Sequence, residues 1–117
     1  MGKSQWQQLY DFLESKKFNV YSPSQPIGEC KEKYIAIKYS GSTRHVYCST
    51  DVDIYTIFCY VPKNKYSEIE GYVQEVKKTM KEIYPHFIPT GQQTPSFYDE
   101  DIKAHMVSLD YKNYKKM

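Results

Sequence analysis

Apolar residues recur at helical spacing in two segments of the chain. In residues 4–16 they are Trp6, Leu9, Tyr10, Phe12 and Leu13. In residues 66–83 they are Tyr66, Ile69, Val73, Val76, Met80 and Ile83. Steps of three and four residues place such positions on one face of a helix. The pattern therefore predicts two amphipathic helices, one near the start of the chain and a longer one in its second half.

Segments rich in β-branched and aromatic residues predict strands between and after these helices. They span residues 18–21, 33–39, 44–49, 54–61 and 103–111. Ser40, Gly41 and Ser42 lie between the second and third segments and predict the turn of a hairpin. Residues 54–61 are apolar at both alternating sets of positions, which predicts a central strand covered on both faces of its sheet.

A polar segment bounded by Pro89 and Pro95 separates the second helix from the last strand. Proline fixes φ and removes a backbone donor, so residues 89–95 are predicted to form a surface loop that could become ordered on a partner. The sequence thus predicts one α+β domain over residues 1–117. Its small mixed, mainly antiparallel sheet has three to five strands, with the N-terminal helix and the long amphipathic helix packed on it.

Length and charge exclude several classes of protein. A chain of 117 residues with 40% hydrophobic and 26% charged residues is expected to fold around one core. Its longest apolar run, residues 54–61, falls far short of the roughly 20 residues that cross a bilayer as a helix. The net charge of +2 gives no strong field for nucleic acid. We therefore expect neither a membrane nor a specific nucleic acid as a partner.

Residues that could carry chemistry are scattered rather than grouped. His45 and Cys48, and likewise His105 and Ser108, stand three residues apart in predicted strands, so the members of each pair face opposite sides. Asp51 with Asp53 and the acidic residues 99–101 match no calcium-loop pattern, and no glycine-rich phosphate loop occurs. The sequence predicts no catalytic residue, no cofactor and no metal site, and hence a protein that is not an enzyme.

Three cysteines complete the candidate chemistry. Cys30, Cys48 and Cys59 are an odd number without a CxxC pair. Two of them lie in apolar segments of predicted strand. The pattern is typical of free, buried thiols rather than of a disulfide framework or a metal site.

Thirteen tyrosines are the unusual feature of the composition. Tyrosine combines an apolar ring with a polar tip and is enriched where a surface is buried against a partner. The segments least needed for the core are the region around Gly41, the loop at 89–95 and the end of the chain, where Lys112, Lys115 and Lys116 predict a solvated tail. Within or beside them the candidate contact residues are Arg44, His45, Tyr47, Gln92, Gln93, Tyr111 and Tyr114.

Three stretches carry a resemblance to a known family. They are DVDIYTIFCYVP at residues 51–62, the helical segment at 66–83 and AHMVSLDY at 104–111. Together they resemble the tail terminator, or tail completion, proteins of long-tailed bacteriophages. The resemblance implies a small α/β protein that forms a homo-oligomeric, hexameric ring, caps the tail tube protein and joins the tail to the head connector protein. It also implies assembly in the host bacterial cytoplasm and a place in the neck of the virion. That family has no catalytic residues to assign.

Other functions remain open at this point. Another phage connector component, such as a head-closure or tail tube protein, would have the same size and the same lack of catalytic motifs. A small nucleic-acid-associated module would use the interleaved tyrosines and lysines of residues 111–116. An enzyme would have to rely on His45, Asp51 and Asp53.

Overall fold

Two helices and six strands make up the part of the chain that the structure, a computed structural model, describes: residues 5–22, 30–45, 50–84 and 86–116. The helices are α1 (Gln5–Ser15) and α2 (Ile69–Met80), and short 3-10 segments, Lys63–Glu68 and Lys81–Ile83, extend α2 at both ends. The strands are β1 (Val20–Tyr21), β2 (Tyr34–His45), β3 (Thr50–Pro62), β4 (Ile88–Gln93), β5 (Phe97–Asp99) and β6 (Ala104–Lys116). Both predicted helices are therefore present, although the regular part of the second, Ile69–Met80, is shorter than the predicted 66–83.

The six strands form one sheet in the order β1-β2-β3-β6-β4, and β5 pairs with the first residues of β6. Only the β1-β2 pair is parallel. The predicted α+β class with a mainly antiparallel sheet is confirmed, but the sheet has six strands instead of three to five. The longest pairing joins β3 to β6 along their whole lengths, from Thr50↔Lys116 to Pro62↔Ala104.

The structure has strand in two places where a loop and a solvated tail were predicted. The prediction of a loop at 89–95 is wrong for its first part, because Ile88–Gln93 pairs with β6 as an edge strand. An edge strand tolerates Pro89, since the missing amide would face away from the sheet. The tail prediction is wrong as well, because β6 continues past Tyr111 to Lys116 and pairs there with β3.

The predicted turn at Ser40-Gly41-Ser42 is a β-bulge inside one continuous strand. The register between β2 and β3 shifts between Tyr39↔Tyr55 and Gly41↔Ile54, which leaves Ser40 as the extra residue. Gly41 has a φ of 115°, a conformation that glycine adopts at little cost, so the strand bends here and continues to His45. The remainder of the predicted returning strand, including Tyr47, lies outside the described residues.

The main core lies between the sheet and the two helices, on what we call the helix face. Its strand residues come from alternate positions of β3 and from the strands beside it; they are Ile35, Ile37, Tyr55, Ile57, Cys59, Val61, Val107, Leu109 and Tyr111. The helices contribute Leu9, Leu13, Ile69, Tyr72, Val73, Val76 and Met80. Burial of these side chains is the dominant stabilising term, at about 25 cal/mol per Å² of apolar surface.

The opposite side of the sheet, the second face, is built differently. A small cluster holds Cys30, Tyr34 and Ala104, with Tyr21 and Tyr60 packed against it. The rings of Tyr34 and Tyr60 stack with centroids 4.7 Å apart. Within the described ranges both helices lie on the helix face. The second set of β3 residues is therefore less covered than predicted: Thr56 is buried, but Ile54, Phe58 and Tyr60 are half-buried.

Candidate interaction site

The candidate contact residues fall at two separate places. Gln93 and Tyr111 line a cavity beside α2, and the backbone of Gln92 lies next to them in β4. Arg44, His45 and Tyr114 lie at the far end of the sheet, where the backbone register aligns the ends of β2, β3 and β6. Tyr47 is outside the part of the chain that the structure describes. The structure therefore places the six candidate residues that it describes in two groups instead of one patch.

The cavity beside α2 has a volume of about 610 Å³. It lies between the C-terminal half of α2 and strands β4 and β6, and its lining is Lys77, Met80, Lys81, Tyr84, Phe87, Pro89, Gly91, Gln93, Leu109, Asp110 and Tyr111. A second cavity of about 380 Å³ continues along α2 toward Tyr66 and Ser96. Lys77 and Gln93 line both cavities, and the second cavity also has the exposed Glu70 in its lining. We call the first cavity, next to the C-terminal half of α2, the α2 groove.

The α2 groove opens because β4 leaves its partner strand for a few residues. The β4-β6 pairing runs through Ile88 and Pro89 and then shifts register before Gln93↔Leu109. Gly91 lies in this gap with a φ of 86°, a left-handed conformation suited to glycine. Thr94 then returns the chain to the sheet, since its Oγ1 accepts a hydrogen bond from the Ser108 amide at 2.9 Å.

The wall of the groove is apolar and its charged margin is basic. Met80, Leu109 and Tyr111 belong to the main core, whereas Lys81 is exposed and Lys77 is half-buried. Asp110 also reaches the lining, but its Oδ1 accepts a hydrogen bond from Thr56 Oγ1 at 2.8 Å on the second face. The groove thus offers an apolar surface next to two lysines.

Tyr111 is a buried residue of the main core and not an exposed contact residue. Its side chain is 3% exposed, and burial raises the pKa of its hydroxyl to about 12. The expectation that Tyr111 belongs to a segment little needed for the core is wrong, because β6 carries it onto the helix face opposite Tyr55. Tyrosine alternation in a strand could have indicated this position, but the lysines that follow it suggested a solvated end.

An exposed ring cluster near β5 was not predicted. The His105 ring lies between Tyr66 and Tyr98, with centroid distances of 4.6 and 5.0 Å. The Tyr66 hydroxyl also contacts Ser96 Oγ at 3.1 Å. Ser108 pairs with Phe58 on the second face, so His105 and Ser108 point to opposite sides as expected from their spacing.

Burial and hydrogen bonds account for the described cysteine thiols and for Asp53. Cys30 and Cys59 are free and buried, and burial raises the pKa of the Cys59 thiol to about 12, which keeps it protonated and unreactive. Cys48 lies outside the described residues. Asp53 is buried and accepts a hydrogen bond from the Tyr39 hydroxyl at 3.2 Å. Within the described ranges, no three histidine, cysteine or acidic residues are placed to hold a metal ion.

No protein-family model matches the chain, and no curated protein is significantly similar to it. No helix in the described ranges is long and apolar enough to cross a membrane.

Proposed function

We propose that the protein is a structural assembly subunit, a phage tail terminator that forms a ring, caps the tail tube and joins the tail to the head connector. The resemblance of residues 51–62, 66–83 and 104–111 to that family supplies the specific role. The proposed partners are other copies of this chain, the tail tube protein and the head connector protein.

One observation carries the assembly part of the proposal: the sheet has unlike surfaces on its two faces. The helix face carries the α2 groove, with its apolar wall and two lysines. The second face carries aromatic side chains, among them Tyr34, Tyr60 and the exposed Phe97. A ring needs two different patches that meet head to tail, because a patch that pairs with itself closes a dimer.

Mass and complementation test this function together. The full-length protein is expected to sediment as a ring at high concentration, alone or on addition of tail tubes. When added to particles assembled without it, it is expected to restore tails of normal length that are joined to heads. A protein that stays monomeric at every concentration and leaves the tails of such particles unjoined would contradict the proposal.

A further inference from the structure

An acidic turn follows β5, and the first residue of β5, Phe97, has an exposed apolar ring on the second face. Asp99, Glu100 and Asp101 follow one another, and the Asp101 amide donates to Asp99 Oδ1 at 2.9 Å, which holds the turn. Phe97, two residues earlier, is 55% exposed. Lys103 is the nearest lysine in sequence. We call Phe97 and residues 99–101 the acidic turn.

The acidic turn and the α2 groove have complementary chemistry. The groove presents an apolar wall beside Lys77 and Lys81, whereas the turn presents an exposed ring beside three carboxylates. A cavity of about 610 Å³ falls within the size of sites that enclose a small ligand, roughly 300–1,000 Å³. Opposite charges at the edge of an apolar contact select the partner and its orientation more than they raise its affinity.

The two surfaces face opposite sides of the sheet. Phe97 pairs with Met106, and Met106 pairs with Tyr60, which places Phe97 on the second face. The groove is walled by Met80 and Leu109, which belong to the helix-face core. When the turn of one copy meets the groove of the next and the reverse contact is left for a third copy, the contact is heterologous, and repeating it gives a closed ring or a filament.

We infer that the acidic turn of one copy binds in the α2 groove of the next copy. Phe97 covers the apolar wall, and the carboxylates of Glu100 and Asp101 face Lys77 and Lys81. This inference rests on the proposed ring and specifies the contact that builds it. The occupant of the groove is a second copy of this chain, because the chain itself carries an exposed ring next to acidic residues.

Charge reversal on each side gives the test. A turn variant, Glu100→Lys with Asp101→Lys, and a groove variant, Lys77→Glu with Lys81→Glu, each place like charges at every contact. Each alone is expected to raise the concentration for assembly by at least about tenfold. An equal mixture is expected to assemble again, because an alternating ring pairs every reversed turn with a reversed groove. Lys38→Glu with Lys78→Glu, both exposed and outside the groove lining, has the same charge change as the groove variant and is expected to assemble like the unmodified protein.

Sedimentation velocity of each variant and of the mixture measures this, with circular dichroism to verify folding. Normal assembly of both single-side variants, or no recovery in the mixture, would overturn the contact while leaving the proposed function intact. A groove variant that assembles normally but no longer binds tail tubes would also overturn it, since the occupant would then be another protein. Failure of the unmodified protein to assemble or to complete tails would reject the proposed function itself.

Discussion

Neighbouring residues of β3 experience two different environments on the two faces of the sheet. Ile57, Cys59 and Val61 on the helix face are fully buried under the helices. Phe58 and Tyr60, which alternate with them, are only half-buried on the second face. The second face is held instead by ring stacking and by hydroxyl groups, such as the contact between Ser40 Oγ and Thr56 Oγ1 at 2.6 Å.

The difference shows that an apolar side chain in a central strand does not always belong to the core. Both alternating sets of β3 residues are hydrophobic in the sequence, yet helices cover one of them. A surface that keeps aromatic side chains partly open is available for contacts, as interfaces are enriched in such residues. Substitutions on the two faces should therefore have different effects. Those on the helix face should prevent folding, whereas those on the second face should remove contacts or lower stability only modestly.

The largest expected effect compares Ile57→Asp with Phe58→Asp. The carboxylate of Ile57→Asp would lie in a site that is 0% exposed, at a cost of several kcal/mol out of the roughly 5–15 kcal/mol that stabilise a small domain. We expect no soluble folded protein. Phe58→Asp can reach water on the second face, so we expect a folded protein destabilised by about 1–3 kcal/mol. Soluble yield, circular dichroism and urea unfolding distinguish the two, and equal losses would show that the second face is also covered.

Hydrophobic periodicity predicted much of this fold. Positions such as Leu9, Val73 and Val76 repeat at helical spacing because each helix buries one side, so α1 and α2 were located from the sequence. The strand at residues 54–61 was found for a similar reason, as burial selects β-branched and aromatic side chains there.

The strands that periodicity missed are those whose pairing is imposed from elsewhere in the chain. Ile88–Gln93 contains proline, glycine and glutamine, and it becomes a strand because β6 is available as a partner. The candidate site was predicted only in fragments for the same reason. Gln93 was named as a candidate, but Lys77 and Lys81 were not. The α2 groove forms only where α2 packs beside β4, and the sequence does not show that these two elements become neighbours.

The second prediction compares two tyrosines. Tyr111→Ala removes a ring enclosed in the helix-face core and is expected to cost about 3–5 kcal/mol of unfolding free energy. Tyr60→Ala removes a half-buried ring stacked on Tyr34 and is expected to cost about 1–2 kcal/mol. Urea denaturation measures both, and Tyr111→Phe, which keeps the ring, serves as the control. A loss of less than about 1 kcal/mol of unfolding free energy in Tyr111→Ala would show that the Tyr111 ring lies at the surface.

The third prediction uses alkaline pH to report on the helix face. Burial raises the pKa of Tyr55 and Tyr111 to about 12, with Asp53 as a further cause for Tyr55, and burial also raises the pKa of Tyr72. In the unfolded chain these hydroxyls ionise near a pKa of about 10. The folded state then holds protons that the unfolded state has lost, so the free energy of unfolding falls as the pH rises from about 10 toward 12.

Urea unfolding at a series of pH values, with tyrosinate absorbance as a second signal, tests this dependence. Tyr111→Phe is expected to flatten the decline, because it removes one of the groups that must ionise on unfolding. An unchanged slope in that variant would mean that the hydroxyl of Tyr111 is ionised in the folded protein as readily as in the unfolded chain, and hence that the groove wall is wet.

The smallest expected effect concerns the hydroxyl groups on the second face. Thr56 Oγ1 donates to Asp110 Oδ1 at 2.8 Å, so its single proton is used and the proton in the Ser40 contact must come from Ser40. Thr56→Val keeps the shape and removes both hydrogen bonds, for an expected loss of about 1 kcal/mol. The loss is small because Ser40 is exposed and Asp110 half-buried, so water can replace the lost partner.

A double-mutant cycle with Ser40→Ala separates the Ser40 contact from other effects of Thr56→Val. If the contact stabilises the bulge, the two changes together should cost about 0.5 kcal/mol less than the sum of the single changes. Additive losses would show that the bulge depends on the Gly41 conformation alone. If Thr56→Val lost as much unfolding free energy as Tyr111→Ala, the second face would be as tightly enclosed as the helix face. The two faces would then not differ in the way described above.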